Sequence, residues 1–161
     1  MMNELRITIP LSSIFSEINI RTYYQGESLK RKDADFVSVQ TSEDDYEALR
    51  TFVETALNNT NGRLIKRVRE FDWIMGGENV EIDLVPYNRI PPHADKVVKL
   101  LEKAIFDYIV NYCIYEWLLV VKPELASVTE KRNDSLLWDV VKFIGMISGN
   151  IRRRATDLAG I

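Results

Sequence analysis

The sequence predicts an α+β fold that is predominantly helical, with about three main helices around a long apolar central helix, a small antiparallel β element and an extended N-terminal strand and arm. The central helix is predicted by residues 97–121, which are apolar on nearly every helical face in their second half. A helix of that kind is buried on all sides. The β element is predicted by alternating apolar and polar residues at 5–11 and 79–85, the period of half-buried strands.

Composition favours one ordinary globular domain. The chain has 161 residues, of which 46% are apolar and 28% are charged, and this is enough for a hydrophobic core. We expect a single domain over residues 1–161, with the strand and arm at 1–40 and a helical core at 41–161 that contains a β-hairpin near 71–86. The net charge of −3 gives no general attraction to nucleic acid, so direct nucleic-acid contact is not expected.

The N-terminal part of the chain is predicted to be extended. Pro10 cannot donate a backbone hydrogen bond, so the first strand is expected at a sheet edge or to end there. An apolar stripe at residues 14–18 predicts a short helix. Residues 21–35 are polar and hold four basic side chains, which predicts a long loop or arm. Residues 36–40 are expected to form a second short strand.

The next helix has a clear start and an ambiguous end. Residues 41–45 begin it, because Ser42 can cap the helix and the three acidic residues after Ser42 suit the positive end of the helix dipole. The sequence NNTNG at 58–62 leaves open whether the helix stops there or continues to residue 68. The glycine pair at 76–77 predicts a hairpin turn between two strands.

Prolines and polar caps bound the last two helices. The central helix is expected over residues 92–121, since proline is tolerated in a first helical turn. Pro123 marks its end or a sharp kink. The last helix is expected to begin near Asn133 or Asp134 and to carry an apolar stripe over residues 137–151.

Membrane insertion and catalysis are both disfavoured. The apolar run at 105–121 is slightly shorter than the about 20 residues of a membrane span. Its Asp107 and Glu116 would each cost roughly 2.5–3.5 kcal/mol at a bilayer centre. Cys113 is the only cysteine and His93 the only histidine, so we expect no disulfide framework and no catalytic, cofactor or metal site. A small hydrolase or metalloenzyme built around His93 is the least favoured alternative.

One polar edge interrupts the apolar helix. Asp107 and Asn111 are spaced i, i+4 and therefore share a helical face, and buried polar groups are costly unless they are paired. Two alternatives stay open. The edge is paired inside the fold, as in a self-contained monomer, or it faces a neighbouring subunit, as in a ring. Glu116 lies off this stripe and is expected to pair with an arginine from elsewhere.

Exposed aromatic and basic residues are the candidate contacts. Tyrosines in a loop bring large contact area at low entropy cost, and Tyr23 and Tyr24 lie beside Gly26 in the predicted arm. A basic stripe at residues 63–69 supports the alternative of a soluble regulatory or nucleic-acid-binding helical module. The predicted partner-binding residues are Tyr23, Tyr24, Lys30, Arg31, Lys32, Arg152, Arg153 and Arg154.

The order of these features resembles a known group of proteins. The first half has a strand-forming start (LRITIPLSSIF), a Tyr-x-Gly loop (TYYQGESLK) and an acidic helix start (TSEDDYEALRTFVETA). The second half has a strand with prolines (VEIDLVPYNRIPP) and a long helix with a late tryptophan (LEKAIFDYIVNYCIYEWL). It closes with an amphipathic helix that ends in arginines (VVKFIGMISGNIRRR). This layout resembles small structural proteins of gut-bacterial phages and prophages. More distantly, it is similar to the helical head–tail connector, or head-completion, proteins of tailed phages.

The resemblance covers most of the chain and implies a non-enzymatic virion protein, made in the host cytoplasm. It implies a head–tail connector, neck ring or tail-completion subunit, which forms a homo-oligomeric ring and binds adjacent portal, neck or tail proteins. It implies no catalytic residue and no cofactor. The N-terminal strand and arm and the strand at 80–85 are less typical of the purely helical connectors.

Overall fold

The computed structural model describes residues 4–31 and 38–148 of the chain. They form three strands and four α-helices, namely β1 (Leu5–Pro10), α1 (Leu11–Lys30), α2 (Tyr46–Leu64), β2 (Glu70–Met75), β3 (Asn79–Val85), α3 (Asp95–Val121) and α4 (Ala126–Ser148). Short 3-10 turns at Glu43–Asp45 and Pro123–Leu125 lead into α2 and α4. This arrangement confirms the α+β, predominantly helical fold class.

The three strands form one antiparallel sheet in the order β1-β3-β2. The Cα partners include Leu5 with Leu84 and Phe71 with the same Leu84. The predicted N-terminal strand is confirmed, and it is an edge strand that ends at Pro10. The predicted hairpin is also confirmed, with its turn at residues 76–77. β1 is thus part of the sheet of its own chain.

The two faces of the sheet differ in burial. Alternate residues such as Ile7 and Ile82 are almost fully buried, and they belong to the same hydrophobic core as the helices. The residues between them point to the opposite, outer face. There Arg6 Nε lies 2.8 Å from Asp83 Oδ1, and Glu81 is exposed. One face therefore supports the core, and the outer face is open to contact.

The prediction of a long central helix is confirmed by α3. Its core-facing residues, such as Ile105 and Ile109, have no exposed surface, and α3 packs against α1, α2 and α4. The expectation of burial on all sides is wrong at the end of the helix, where Leu119 and Val120 are 41% and 72% exposed. Helix α3 begins at Asp95 rather than Pro92, because residues 92–94 form a turn. By length and composition α3 is the one described helix that is able to cross a membrane, but half of its most apolar stretch is buried within the fold, as in the core helix of a globular protein.

The predicted loop at residues 21–35 is wrong where the structure describes it. Residues 21–30 continue α1, because Thr22 and Gly26 extend the buried stripe of Ile14 and Ile18 at helical spacing. These small residues let α1 pack closely. Residues 38–40 lack the regular hydrogen bonding of the predicted second strand, and residues 32–37 lie outside the described residues.

The predicted ambiguity in α2 is resolved, and the predicted start of α4 is wrong. Helix α2 continues through NNTNG but ends at Leu64, short of residue 68. It continues because Leu64 is fully buried and the buried Thr60 hydroxyl donates to the Ala56 carbonyl oxygen at 2.9 Å. Burial of these side chains in the core therefore outweighs the low helix propensity of the NNTNG sequence. Helix α4 begins at Ala126 rather than at residues 133–134, because Pro123 starts a 3-10 turn that leads directly into it. Its apolar stripe is confirmed to Ile147, and Ile151 lies outside the described residues.

A single indole hydrogen bond holds the segment before α2 against α3. Trp117 Nε1 donates to the carbonyl oxygen of Val39 at 2.7 Å, and the Val39 side chain is fully buried. We expect Trp117→Phe to lower the free energy of unfolding by about 1–3 kcal/mol, because a buried acceptor loses its donor. Thermal melting measures the loss, and hydrogen exchange at residues 38–41 should rise. Tyr87→Phe, which removes an exposed polar hydrogen, is the control; an equal loss in both variants would contradict the prediction.

Candidate functional site

The predicted contact residues that the structure describes lie together on one helix. Ile20, Tyr23 and Tyr24 are 48%, 45% and 67% exposed, and their spacing of i, i+3 and i+4 places them on one side of α1. The rings of Tyr23 and Tyr24 meet edge to face with centroids 5.5 Å apart. Lys30 and Arg31 follow at the exposed C-terminal end of the helix. We call these five residues the α1 contact face.

The orientation of α1 is fixed by a polar network on its buried side. The Thr22 hydroxyl accepts from the Thr41 amide at 3.1 Å and donates to the Ile18 carbonyl at 2.8 Å. The Thr41 hydroxyl donates to Asn19 Oδ1, and Asn19 Nδ2 donates to the Tyr46 hydroxyl at 3.0 Å. Buried polar groups need such partners. The network therefore locks the rotation of α1 and directs Tyr23 and Tyr24 to solvent.

The polar edge of α3 is paired inside the fold. Asp107 lies 2.9 Å from Lys103 Nζ and 3.8 Å from Arg21 Nη2, and Arg21 Nε also lies 2.8 Å from Glu17. Asn111 is 5% exposed, and its Nδ2 donates to the Thr129 carbonyl at 3.0 Å and to Asn133 Oδ1 at 2.6 Å.

The structure pairs Asp107 and Asn111 within one chain, as the first of the two alternatives predicts; contact with a neighbouring subunit stays a prediction. In the part of the chain that the structure describes, no arginine forms an ion pair with Glu116. Glu116 accepts from the Tyr112 hydroxyl at 2.8 Å instead. Both polar side chains of this edge, Asp107 and Asn111, therefore have hydrogen-bond or ion-pair partners within one chain.

A second exposed surface combines part of the basic stripe with a tryptophan. Trp138 on α4 is 51% exposed, and the guanidinium carbons of Arg63 and Arg67 lie 5.1 and 5.8 Å from the centroid of its ring. Arg63 Nη2 also lies 3.5 Å from Asp134 Oδ1. Cation–π contacts of this kind stabilise partly exposed pairs. We call Arg63, Arg67 and Trp138 the Arg–Trp face.

Sequence reasoning missed Trp138 as a surface residue. The signal was present, because Trp138 lies next to the buried Leu137 and so falls outside the apolar stripe of its helix. Arg63 lies in the last turn of α2, and Arg67 lies in the turn that follows it. What the sequence did not indicate is that the end of α2 and the turn after it bring both arginines to Trp138 on α4.

The structure places the other candidate residues away from any shared site. His93 is exposed in the turn before α3. Cys113 is fully buried, and burial raises the pKa of its thiol, which makes the reactive thiolate scarce. Within the described ranges 4–31 and 38–148, no group of three or more His, Cys, Asp or Glu side chains is placed to hold a metal ion. Lys32, Arg152, Arg153 and Arg154 lie outside the described residues.

Comparison of the chain with family models, curated proteins and solved structures finds no match. The resemblance to phage connector proteins therefore stays a prediction. The α1 contact face and the Arg–Trp face are two exposed surfaces that could bind a partner.

Proposed function

We propose that the protein is a non-enzymatic structural subunit of a phage virion. It acts as a head–tail connector, neck-ring or tail-completion subunit, which binds its own copies and adjacent portal or tail proteins. The observation that carries the proposal is the α1 contact face, where Ile20, Tyr23 and Tyr24 are exposed on a rigid helix.

The α1 contact face has the composition of a protein-binding surface. Tyrosine is enriched among the residues that dominate binding energy, and interface centres combine aromatic area with a polar rim. Lys30 and Arg31 supply such a rim at the end of the helix. Since the network around Thr22 already fixes α1, docking orders little new structure, and this lowers the entropic cost of association.

The alternative of a nucleic-acid-binding module would use the basic stripe at residues 63–69. Arg63 is already engaged by Asp134 and by the Trp138 ring, and the chain carries a net charge of −3. Phosphate binding by several free cations gives an affinity that falls by orders of magnitude between low and moderate salt. A salt titration with a DNA duplex distinguishes this alternative from the virion role.

The double variant Tyr23→Ser/Tyr24→Ser tests the proposal. We expect binding to purified portal or tail proteins, and incorporation into particles, to fall by about tenfold or more, because truncating central aromatic contacts removes more than about 1.4 kcal/mol of binding free energy. The melting temperature should change little, because both side chains are exposed. Light scattering and quantification of the protein in purified particles measure the effect.

Tyr87→Ser is the matched control, because Tyr87 is an exposed tyrosine outside α1. It should leave binding and incorporation unchanged. A protein that is missing from purified particles, and that binds neither its own copies nor portal or tail proteins, would contradict the proposal.

A further inference from the structure

The outer face of the β2–β3 hairpin carries a depression with an apolar centre. Ile74 is 66% exposed and is the Cα partner of Glu81. A shallow depression of about 330 Å³ lies beside it, lined by Ile74, Gly76, Gly77, Glu78, Asn79 and Glu81. Arg50 holds the turn from below, with Nη2 3.2 Å from the Gly76 carbonyl oxygen. We call this feature the Ile74 depression.

Unbalanced negative charge surrounds the Ile74 depression. Asp72 and Asp83 are directly opposite each other in the sheet, and like charges in that position are unfavourable. Arg6 pairs with Asp83. Among the described residues, no lysine or arginine pairs with the side chains of Glu78 or Glu81, whose carboxylates are exposed. Arg6 also attracts Glu81, and the Arg50 guanidinium lies at the turn. Two cations thus face four carboxylates, and the rim keeps a net negative charge that attracts a further cation.

The Arg–Trp face has the complementary arrangement. Its centre is the exposed indole of Trp138, and its rim is the guanidinium groups of Arg63 and Arg67. The Arg67 guanidinium has no carboxylate partner among the described side chains, and Lys66 beside it is exposed. An apolar centre inside a charged rim is the usual plan of a protein interface.

We propose that the Arg–Trp face of one copy docks into the Ile74 depression of a second copy of this chain. Trp138 of one copy packs on Ile74 of the other, and Arg67 forms charge-assisted hydrogen bonds with Glu78 and Glu81. The inference rests on the proposed function, because it names the contact by which the subunit binds its own copies. The two surfaces differ, so the contact is heterologous, the type that generates rings or open filaments.

A nucleic acid is a poorer occupant of the Arg–Trp face than a second copy. Such a ligand would satisfy the arginines and leave the acidic depression unused, whereas self-association uses both surfaces of each chain. Opposite charge on the two rims also steers encounter and fixes the relative orientation of the partners.

Charge reversal on each surface tests the contact. Arg67→Glu alone and Glu81→Arg alone should each weaken self-association by at least about tenfold, measured by sedimentation at low salt. An equal mixture of the two variants should regain association. In the mixture, the native Arg–Trp face of a Glu81→Arg copy can dock into the native Ile74 depression of an Arg67→Glu copy. In the other possible contact, the glutamate introduced at position 67 of one variant meets the arginine introduced at position 81 of the other, so the charges are opposite again. Both positions are exposed, and Lys99→Glu is a matched control that should associate like the wild type.

The fluorescence of Trp138 gives a second readout. Its emission should shift to the blue as the protein concentration rises, and Trp138→Phe should remove that shift. Wild-type association that survives both charge reversals would overturn this contact and leave the proposed function standing, with the α1 contact face as the surface to test. A monomeric wild-type protein would overturn the contact, and it would overturn the proposed function only if the protein were also missing from purified particles and bound no portal or tail protein. Loss of DNA binding in Arg67→Glu without any change in self-association would overturn the contact in favour of nucleic acid.

Discussion

Ile109→Ala is expected to lower the free energy of unfolding by about 2–5 kcal/mol. Ile109 lies in the middle of α3 and has no exposed surface within a single chain. Truncation removes buried methyl and methylene groups and leaves a cavity that the surrounding helices fill only in part. Urea denaturation measures the loss, and the melting temperature should fall by about 2–4 °C for each kcal/mol in a chain of this size.

Val120→Ala is the matched control near the end of the same helix. Val120 is 72% exposed, so its truncation should change stability by less than about 0.5 kcal/mol. The comparison separates two meanings of an apolar helix. If α3 is the core of one chain, only Ile109→Ala is costly. If other subunits complete α3, both variants lose stability, and the loss depends on protein concentration.

The elements with strong periodicity were predictable. The alternation of Val80, Ile82 and Leu84 with charged residues predicted β3. The length and apolarity of α3 predicted its central position, but not that Val120 near its end is 72% exposed. The second half of α1 was not predictable by the same means. Its buried stripe continues through Thr22 and Gly26, which are residue types with low helix propensity, and only the packed structure shows that both are buried.

The candidate site was predicted in part, and for a partly wrong reason. Tyr23 and Tyr24 were chosen as loop residues, but they are exposed because α1 presents them on its solvent side. The Arg–Trp face was not predictable, because it joins the end of α2 and the turn after it to α4, which is distant in sequence. The neighbours of a surface tryptophan depend on how the helices pack, and local sequence periodicity does not predict which helices pack together.

The hydrogen-bond partners of Asn111 could not be predicted from the sequence either. The sequence indicated that a polar side chain inside an apolar helix needs a partner, but the partners, Thr129 and Asn133, lie on α4. The predicted α4 began near residue 133, so it left out the turn that carries Thr129. The true start at Ala126 is what lets α4 provide a backbone carbonyl oxygen and an amide oxygen to Asn111.

Asn111→Asp is therefore expected to be strongly destabilising at neutral pH, by about 3–5 kcal/mol, the usual penalty for an uncompensated buried charge. The amide of Asn111 donates to the Thr129 carbonyl oxygen at 3.0 Å. A carboxylate of the same shape has no hydrogen to donate, so two acceptors would face each other in a site that is 5% exposed.

The pH dependence of the Asn111→Asp variant has a definite sign. When the introduced carboxyl group is protonated, it can donate to the Thr129 carbonyl oxygen, so the fold favours the neutral acid and raises its pKa above the unfolded value of about 3.9. The folded state then holds the proton more tightly than the unfolded chain, and stability falls as the pH rises. The deficit relative to wild type should be smallest below about pH 4 and should grow until the pH passes the raised pKa.

Urea denaturation of wild type and variant across this pH range measures the deficit. Asn58→Asp is the matched control, since Asn58 is exposed on α2 and a carboxylate there remains hydrated. It should follow the wild-type pH profile to within about 0.5 kcal/mol. A deficit in Asn111→Asp that does not depend on pH would mean that the carboxylate reaches water, and that α4 does not hold Asn111 as tightly as the two hydrogen bonds indicate.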